Sequence, residues 1–137
     1  MTKTMKIIEK IPTPEEYNHI RELVKWGAIP MPYVKTGLNN STFGVCAYVN
    51  DEIVGLARVV GDGAIYFFIK DMIIHPDYQR QGIGTKIMNT IIKIFKERYE
   101  NKGMVFLFAA KGKAAFYEKF GFEKRDDDAP GMRLINQ

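Results

Sequence analysis

A single cysteine, Cys46, occurs in the 137 residues, so an internal disulfide is excluded and a reducing compartment is expected. Cys46 lies in a strand-like run, which marks it as a buried structural thiol rather than a nucleophile. Only two histidines, His19 and His75, are present. With no Cys/His cluster, no zinc or other metal site is expected. No apolar run approaches the roughly 18 residues that a membrane span needs. The segment Met1-Thr2-Lys3-Thr4-Met5-Lys6 is followed by only two apolar residues before Glu9, so no signal peptide is expected. These absences point to a cytoplasmic protein with no membrane partner. Runs of four or more basic residues are also lacking, although Lys plus Arg exceed Asp plus Glu by 20 to 16, a net charge of +4. That mild, scattered surplus suits a small polyanionic ligand, and nucleic acid is not expected as a partner. Repeats, linkers and low-complexity segments are missing. A chain of this length with 46% hydrophobic and 26% charged residues fits one globular domain spanning 1–137.

What is present centres on Asp71-Met72-Ile73-Ile74-His75-Pro76-Asp77-Tyr78-Gln79-Arg80-Gln81-Gly82-Ile83-Gly84-Thr85. It reads as the end of a buried strand, a polar loop and the first turn of a helix. Ile83, Ile87, Met88, Ile91, Ile92, Phe95 and Tyr99 then recur at three- and four-residue spacings, one apolar helical face. Gly82 and Gly84 let the backbone turn tightly and let a ligand approach its N–H groups. The first N–H groups of a helix lack internal partners and carry positive potential, so the segment is a candidate anion site. It is neither a P-loop, which needs Gly-Lys-Ser/Thr, nor a Rossmann fingerprint, because Lys86 and Ile87 stand where a third glycine belongs.

Taken in order, Lys6–Ile11 reads as a first strand. Thr13-Pro14-Glu15-Glu16 is a capping box opening a helix that carries Tyr17, Ile20, Leu23 and Val24 and ends at Gly27. Met31–Leu38 reads as a short second helix. Three strands follow, Phe43–Val49, Ile53–Val60 and Ala64–Ile74, joined by turns at Asn50-Asp51-Glu52 and Gly61-Asp62-Gly63. The third is apolar on both faces and so belongs inside its sheet. After the long helix, Met104–Ala109 should be a strand parallel to Ala64–Ile74 through a right-handed crossover. A helix over Lys113–Phe120 and strands at Phe122–Arg125 and Met132–Ile135 complete the expected order, β-α-α-β-β-β-α-β-α-β-β, an α/β fold on a mixed sheet. As an edge, Met132–Ile135 could pair between chains in a homodimer.

The run from Asp71 to Gly84, with Gln79-x-x-Gly82-x-Gly84 after Ile74-x-Pro76, resembles the acetyl-CoA-binding motif of the Gcn5-related N-acetyltransferases. Ala114-Ala115-Phe116-Tyr117-Glu118-Lys119-Phe120-Gly121-Phe122 resembles the Phe-Tyr-x-x-x-Gly-Phe segment of the same family, and the likeness covers nearly the whole chain. It implies an acyl-CoA N-acyltransferase fold, acetyl-CoA as co-substrate and a small amine as acceptor. By the resemblance, backbone N–H groups from Arg80 through Gln81, Gly82, Ile83 and Gly84 to Thr85 would hold the pyrophosphate, with Gln79 opening the motif. Backbone groups of Met72, Ile73 and Ile74 would pair with the pantetheine amides, through a bulge that no sequence signal gives. Tyr117, beside Phe116, would be the general acid to the leaving thiolate. A thiol titrates near about 8.5 and a phenol near about 10, so the donation is chemically sensible.

Other roles follow from chemistry and position. A lysine-like acceptor amine, with a reference pKa of about 10.4, must lose a proton before it attacks. Asp71 is the first candidate for the base or for an amine-binding carboxylate; the alternative is a carboxylate paired with Arg58 or Lys70. His75 ranks below it, because it precedes Pro76 nearer the phosphate end. By the resemblance, in which the first two helices flank the acceptor pocket, Trp26, Tyr33 and Leu38 are candidates to touch the acceptor, with ordinary packing as the alternative; Arg58 on the neighbouring strand could bind a substrate carboxylate or be solvated. One departure from the family is Ala110, seven residues before Tyr117, where many relatives carry Asn. The neighbouring Lys111 and Lys113 could replace that contact or meet CoA phosphates. The expected function is acetyl transfer to a primary amine of a small molecule or amino acid by direct attack. A protein or peptide acceptor, a non-catalytic acyl-CoA-binding module and a nucleic-acid-binding protein are the rivals.

Overall fold

The computed structural model describes residues 4–135. The chain divides into two compact units, one running through Phe106 and the other starting at Leu107. The first holds β1 (Met5–Glu9), α1 (Pro14–Leu23), α2 (Met31–Asn39), β2 (Phe43–Val49), β3 (Glu52–Gly61), β4 (Tyr66–Ile74) and α3 (Ile83–Tyr99). β5 (Met104–Leu107) follows, and α4 (Ala114–Glu118) belongs to the second unit.

The strands form one sheet in the order β1-β2-β3-β4-β5. β1 through β4 pair antiparallel in succession. β5 begins with Met104 N–H donating to Ile65 O at 2.7 Å, and Phe106 stacks on Tyr66 further along. Numbering thus rises in the same direction on both strands, which is the parallel crossover that the long intervening helix requires. β4 lies inside the sheet as its apolar composition predicts, although the strand buried at every residue is β2.

Each face of the sheet has its own helices. Tyr17 and Ile20 of α1 and Val34 and Leu38 of α2 pack on Cys46, Tyr48, Ile53, Leu56 and Ile73. On the opposite face, α3 presents Ile83, Ile87, Met88, Ile91, Ile94 and Phe95, all buried. Phe95 meets Phe43 and Phe67 edge-on at 5.5 and 5.1 Å between ring centroids. Gly55 is required here: a Cβ would lie 3.0–3.2 Å from Ile74, Ile83 and Ile87 side chains, so the glycine sets how closely α3 approaches β3. Arg98 near the end of α3 donates to both carboxylate oxygens of Glu9 on β1, at 2.7 and 2.8 Å.

Local sequence signals explain most element ends. Thr13 Oγ1 accepts from Glu16 N–H at 3.1 Å while Thr13 N–H donates to Glu16 Oε1 at 2.9 Å, the capping box expected for α1. Asn50 and Asp51, both with positive φ, make a two-residue hairpin loop between β2 and β3. β4 starts at Tyr66 rather than Ala64, because the Asp62 carboxylate accepts N–H bonds from Ala64, Ile65 and Tyr66 and holds them in a turn. β1 ends at Glu9 rather than Ile11, and α1 ends at Leu23, ahead of Lys25 and Gly27 in the left-handed region.

The end of the chain departs from expectation. β5 stops at Leu107, α4 is five residues long, and the segments 122–125 and 132–135 are irregular instead of the last two strands. A strand exists only with a ladder partner, and the hydrogen bonds found here are local: Ala129 N–H donates to Asp126 O, and Arg125 Nε donates to Ala129 O. Met132, Leu134 and Ile135 are exposed.

Burial pushes the Cys46 thiol up to about 12, while in an unfolded chain a thiol titrates near about 8.5. The folded state therefore keeps the proton that the unfolded state releases. Stability from this group is complete below about pH 8.5 and declines above it by about 1.4 kcal/mol per pH unit. Urea unfolding between pH 8 and pH 9.5 should show that slope in the native protein and a flatter one in Cys46→Ala.

Candidate active site

The site grows from an irregularity in β4. Partners run Arg58↔Lys70 and then Leu56↔Ile73, so β4 carries an extra residue opposite Ala57. Asp71 sits there with φ 61, in the left-handed region inside a strand. The bulge shifts the side-chain alternation by one residue. Ile69 pairs with Val59 and Phe67 packs on Phe95, toward α3. Beyond the bulge Ile73 points instead into the α1–α2 core. Asp71 itself turns toward α1 and β3.

There its carboxylate is enclosed, with the side chain 10% exposed. Oδ2 accepts the Tyr17 hydroxyl at 2.6 Å and Arg58 Nε at 3.1 Å, and Arg58 Nη2 lies 3.0 Å away. Arg58 is also tied to α2: Nη1 donates to Gly37 O and to Ser41 Oγ, each at 3.3 Å. Arg21 stands on the other side, with Nη1 3.9 Å from Asp71 Oδ1. Its Nε donates to Gly27 O at 2.9 Å and its Nη2 to Trp26 O at 3.5 Å, so it braces the loop after α1. The Arg21 guanidinium lies 5.5 Å from the centre of the Trp26 ring. Burial, the bond to Asp71 and the charge of Asp71 together raise the Tyr17 hydroxyl above its ordinary value, so Tyr17 is a proton donor to the carboxylate.

The glycine loop follows directly. A 3-10 turn over Pro76–Tyr78 is closed by His75 Nδ1, which accepts from Asp77 N–H at 3.0 Å. Gln79 Nε2 donates to Ile74 O at 3.2 Å and Gln81 Nε2 to Asp77 O at 3.3 Å, so both glutamines brace the loop. Arg80 and Gly82 have φ 64 and 81, and Gly82 caps α3 with no side chain bonded to its first N–H groups. A Cβ on Gly82 would meet nothing within 4 Å, so the glycine serves conformation, in an open cradle. Ile83 is buried and pins the helix start, while Arg80, Gln81, Thr85 and Lys86 are exposed around it. Together these groups suit an anion.

The sequence-predicted residues separate into groups. Asp71 and Arg58 are brought together, and Trp26 joins them through Arg21. Tyr33 stands on the first turn of α2, 73% exposed, outside this network. Met72 and Ile74 are partly buried and Ile73 is buried. β5 has only four residues starting opposite Ile65, whereas β4 runs on to Ile74. In the second unit, Lys111 and Lys113 are exposed ahead of α4, and Phe116 and Tyr117 touch edge-on at 5.0 Å. Tyr117 also packs on Phe122, and burial raises its hydroxyl above the ordinary value. Tyr17 and Arg21 were missed as site residues. Their spacing of four puts them on one helical face, and an arginine beside a tyrosine on an apolar stripe was the available signal. A cleft of about 540 Å³, lined by Lys6, Lys10, Glu16 and Tyr48 among others, opens at the β1 edge instead, three strands from Asp71.

Removing one partner from a largely buried ion pair leaves the other uncompensated. Asp71→Ala should lower the unfolding free energy in urea by about 3 kcal/mol, and Asp71→Ala with Arg58→Met should recover part of that loss.

Residues 40–124 match the family model described as Acetyltransferase (GNAT) domain. The chain is 31% identical over 121 residues to the uncharacterized N-acetyltransferase ycf52 of Pyropia yezoensis, covering 85% of this chain and 68% of the relative. A crystal structure from meticillin-resistant Staphylococcus aureus superposes with a TM-score of 0.84 at 32% identity, covering 97% of this chain and 100% of that one. A GNAT family acetyltransferase of Streptococcus pneumoniae gives a TM-score of 0.82 at 32% identity, over 98% and 99% of the two chains. The bulged strand, the glycine loop and these likenesses agree, and the chain belongs to the GNAT family of N-acetyltransferases.

Proposed function

We propose that the enzyme transfers the acetyl group of acetyl-CoA to a primary amine of a small molecule or amino acid. The observation that carries this reading is the bulge at Asp71, set where β4 runs past β5 and leads into the glycine loop. In this reading the exposed N–H groups around Gly82 and the first turn of α3 hold the pyrophosphate, helped by Arg80 and Thr85. The backbone of Met72 to Ile74 takes the pantetheine arm as an added strand. Lys111, Lys113 and Phe116 are the remaining candidates for cofactor binding.

The amine nitrogen attacks the thioester carbonyl, a new C–N bond forms, and the C–S bond breaks to release the CoA thiolate. No acyl-enzyme is formed, since Cys46 is buried and its thiol is held protonated. Asp71 Oδ2 is committed to Tyr17 and Arg58, which leaves Oδ1 to face the amine as a carboxylate that orients it and draws its proton. Tyr117 supplies a proton to the departing sulfur. Catalysis rests mainly on holding two reactants in line. A buried free cysteine also suits a reducing, cytoplasmic setting, and the exposed apolar residues Met132, Leu134 and Ile135 suit a homodimer.

Trp26 at 48% and Tyr33 at 73% exposure favour a second reading, in which an open surface accepts a peptide or protein amine. Release of CoA thiol from acetyl-CoA, measured against amino acids, polyamines, aminoglycosides and short peptides, separates the two. Turnover with none of them, with acetyl-CoA still bound in calorimetry, would instead indicate a binding module.

Tyr117→Phe should lower kcat roughly a hundredfold while acetyl-CoA binding in calorimetry is unchanged. Because burial raises the Tyr117 hydroxyl above its ordinary value, the proton stays in place through neutral pH. Loss of rate from its ionisation should begin only above about pH 10.

A further inference from the structure

Two guanidinium groups, Arg21 and Arg58, converge on one carboxylate, Asp71, with side chains 15%, 17% and 10% exposed. The distances decide which pair is satisfied. Arg58 binds Asp71 at 3.0 and 3.1 Å, and its remaining nitrogen is engaged by Gly37 O and Ser41 Oγ. Four of the five Arg58 N–H groups are thus committed within the protein, which leaves a single Nη2 N–H outside these bonds. Arg21 uses Nε and Nη2 on backbone carbonyls, whereas its Nη1 stops 3.9 Å from Asp71 Oδ1, beyond hydrogen-bond distance. The network thus carries one positive charge in excess, in a poorly solvated position. It also holds an under-used donor, Arg21 Nη1, beside an under-used acceptor, Asp71 Oδ1.

We infer that the acceptor is an α-amino acid, with its carboxylate on Arg21 and its α-amine on Asp71. An α-amino acid carries an anion and a cation one carbon apart, and a donor and an acceptor 3.9 Å apart are its complement. A lone amine would answer Asp71 and leave the Arg21 charge unmatched; a lone acid would do the reverse. Trp26, whose ring lies against Arg21 and is 48% exposed, offers an apolar surface to the amino acid side chain. This rests on the acetyl-transfer reading and names its acceptor. Arg21 is accordingly a specificity-determining residue.

Trp26 is the single tryptophan of the chain, so its emission reports this position without any turnover. The full-length protein, with CoA present, is titrated with each proteinogenic amino acid other than tryptophan and tyrosine. The same titration is run with its carboxamide and with its decarboxylated amine. At least one amino acid should shift the emission, with roughly ten- to hundredfold weaker binding of the amide and the amine, the worth of one charge-assisted hydrogen bond. In Arg21→Gln that preference should fall toward one, and Arg21→Lys should restore part of it. Equal binding of acid and amide would overturn the inference. So would a response to no amino acid, or a preference that persists in Arg21→Gln. CoA-thiol release from the same set tests acetyl transfer separately: binding with the predicted preference but no turnover would sink the catalytic reading alone.

Discussion

The contact on which the rest depends is the one between Asp71 and its partners on α1 and β3. A left-handed aspartate inside a strand costs about 1–2 kcal/mol in backbone energy. A charge-assisted hydrogen bond contributes about 1.5–3 kcal/mol, and Asp71 makes them with Tyr17 and with Arg58. The balance favours the bulge. Without it, alternation from Phe67 and Ile69 would send the Asp71 carboxylate toward the apolar face of α3. Burying an unpaired carboxylate there would cost far more than the strained φ. The bulge is therefore the low-energy solution for this sequence, and it also throws Ile73 into the α1–α2 core.

That argument shows what was legible. Strand and helix positions followed from period and capping, because both are local: Thr13 with Glu16, Asn50 with Asp51, and the apolar stripe of α3. The glycine loop was legible for the same reason, since Gly82 adopts a conformation that its own residue type permits. The bulge was not, because the one irregularity in the strand's pattern allows two outcomes. Phe67-x-Ile69-x-Asp71 breaks an alternating pattern with a charge, which calls for either an inward partner or a change of phase. Choosing between them needs the location of Tyr17 and Arg58, 54 and 13 residues away along the chain.

The end of the chain failed for the converse reason. Met132-Arg133-Leu134-Ile135 has the composition of a strand, but composition does not supply a neighbour. The Phe116–Tyr117 pair was legible as a motif, and its aromatic packing with Phe120 and Phe122 lies within a span short enough for local contacts to form it. Arg58 illustrates a subtler limit. Its residue type suits a substrate carboxylate equally well, and only the fold brings Asp71, Gly37 O and Ser41 Oγ to four of its five N–H groups.

On the proposed reading, β4 also fixes the spacing of the two reactants. α1, α2 and β3 build the acceptor side around Asp71, and α3 builds the phosphate side around Gly82. β4 is the element common to both. From Asp71 to Ile74 the strand advances by about 3.3 Å per residue, so acceptor carboxylate and pantetheine-binding backbone lie within roughly 10 Å along one strand. This stretch of β4 is held by β3 along one edge and by Tyr17 and Arg58 at Asp71, whereas a loop would add a mobile coordinate between amine and thioester. The β3 register and the Tyr17 hydroxyl set the direction of Asp71. The acceptor side is then positioned by packing formed during folding, before either reactant arrives.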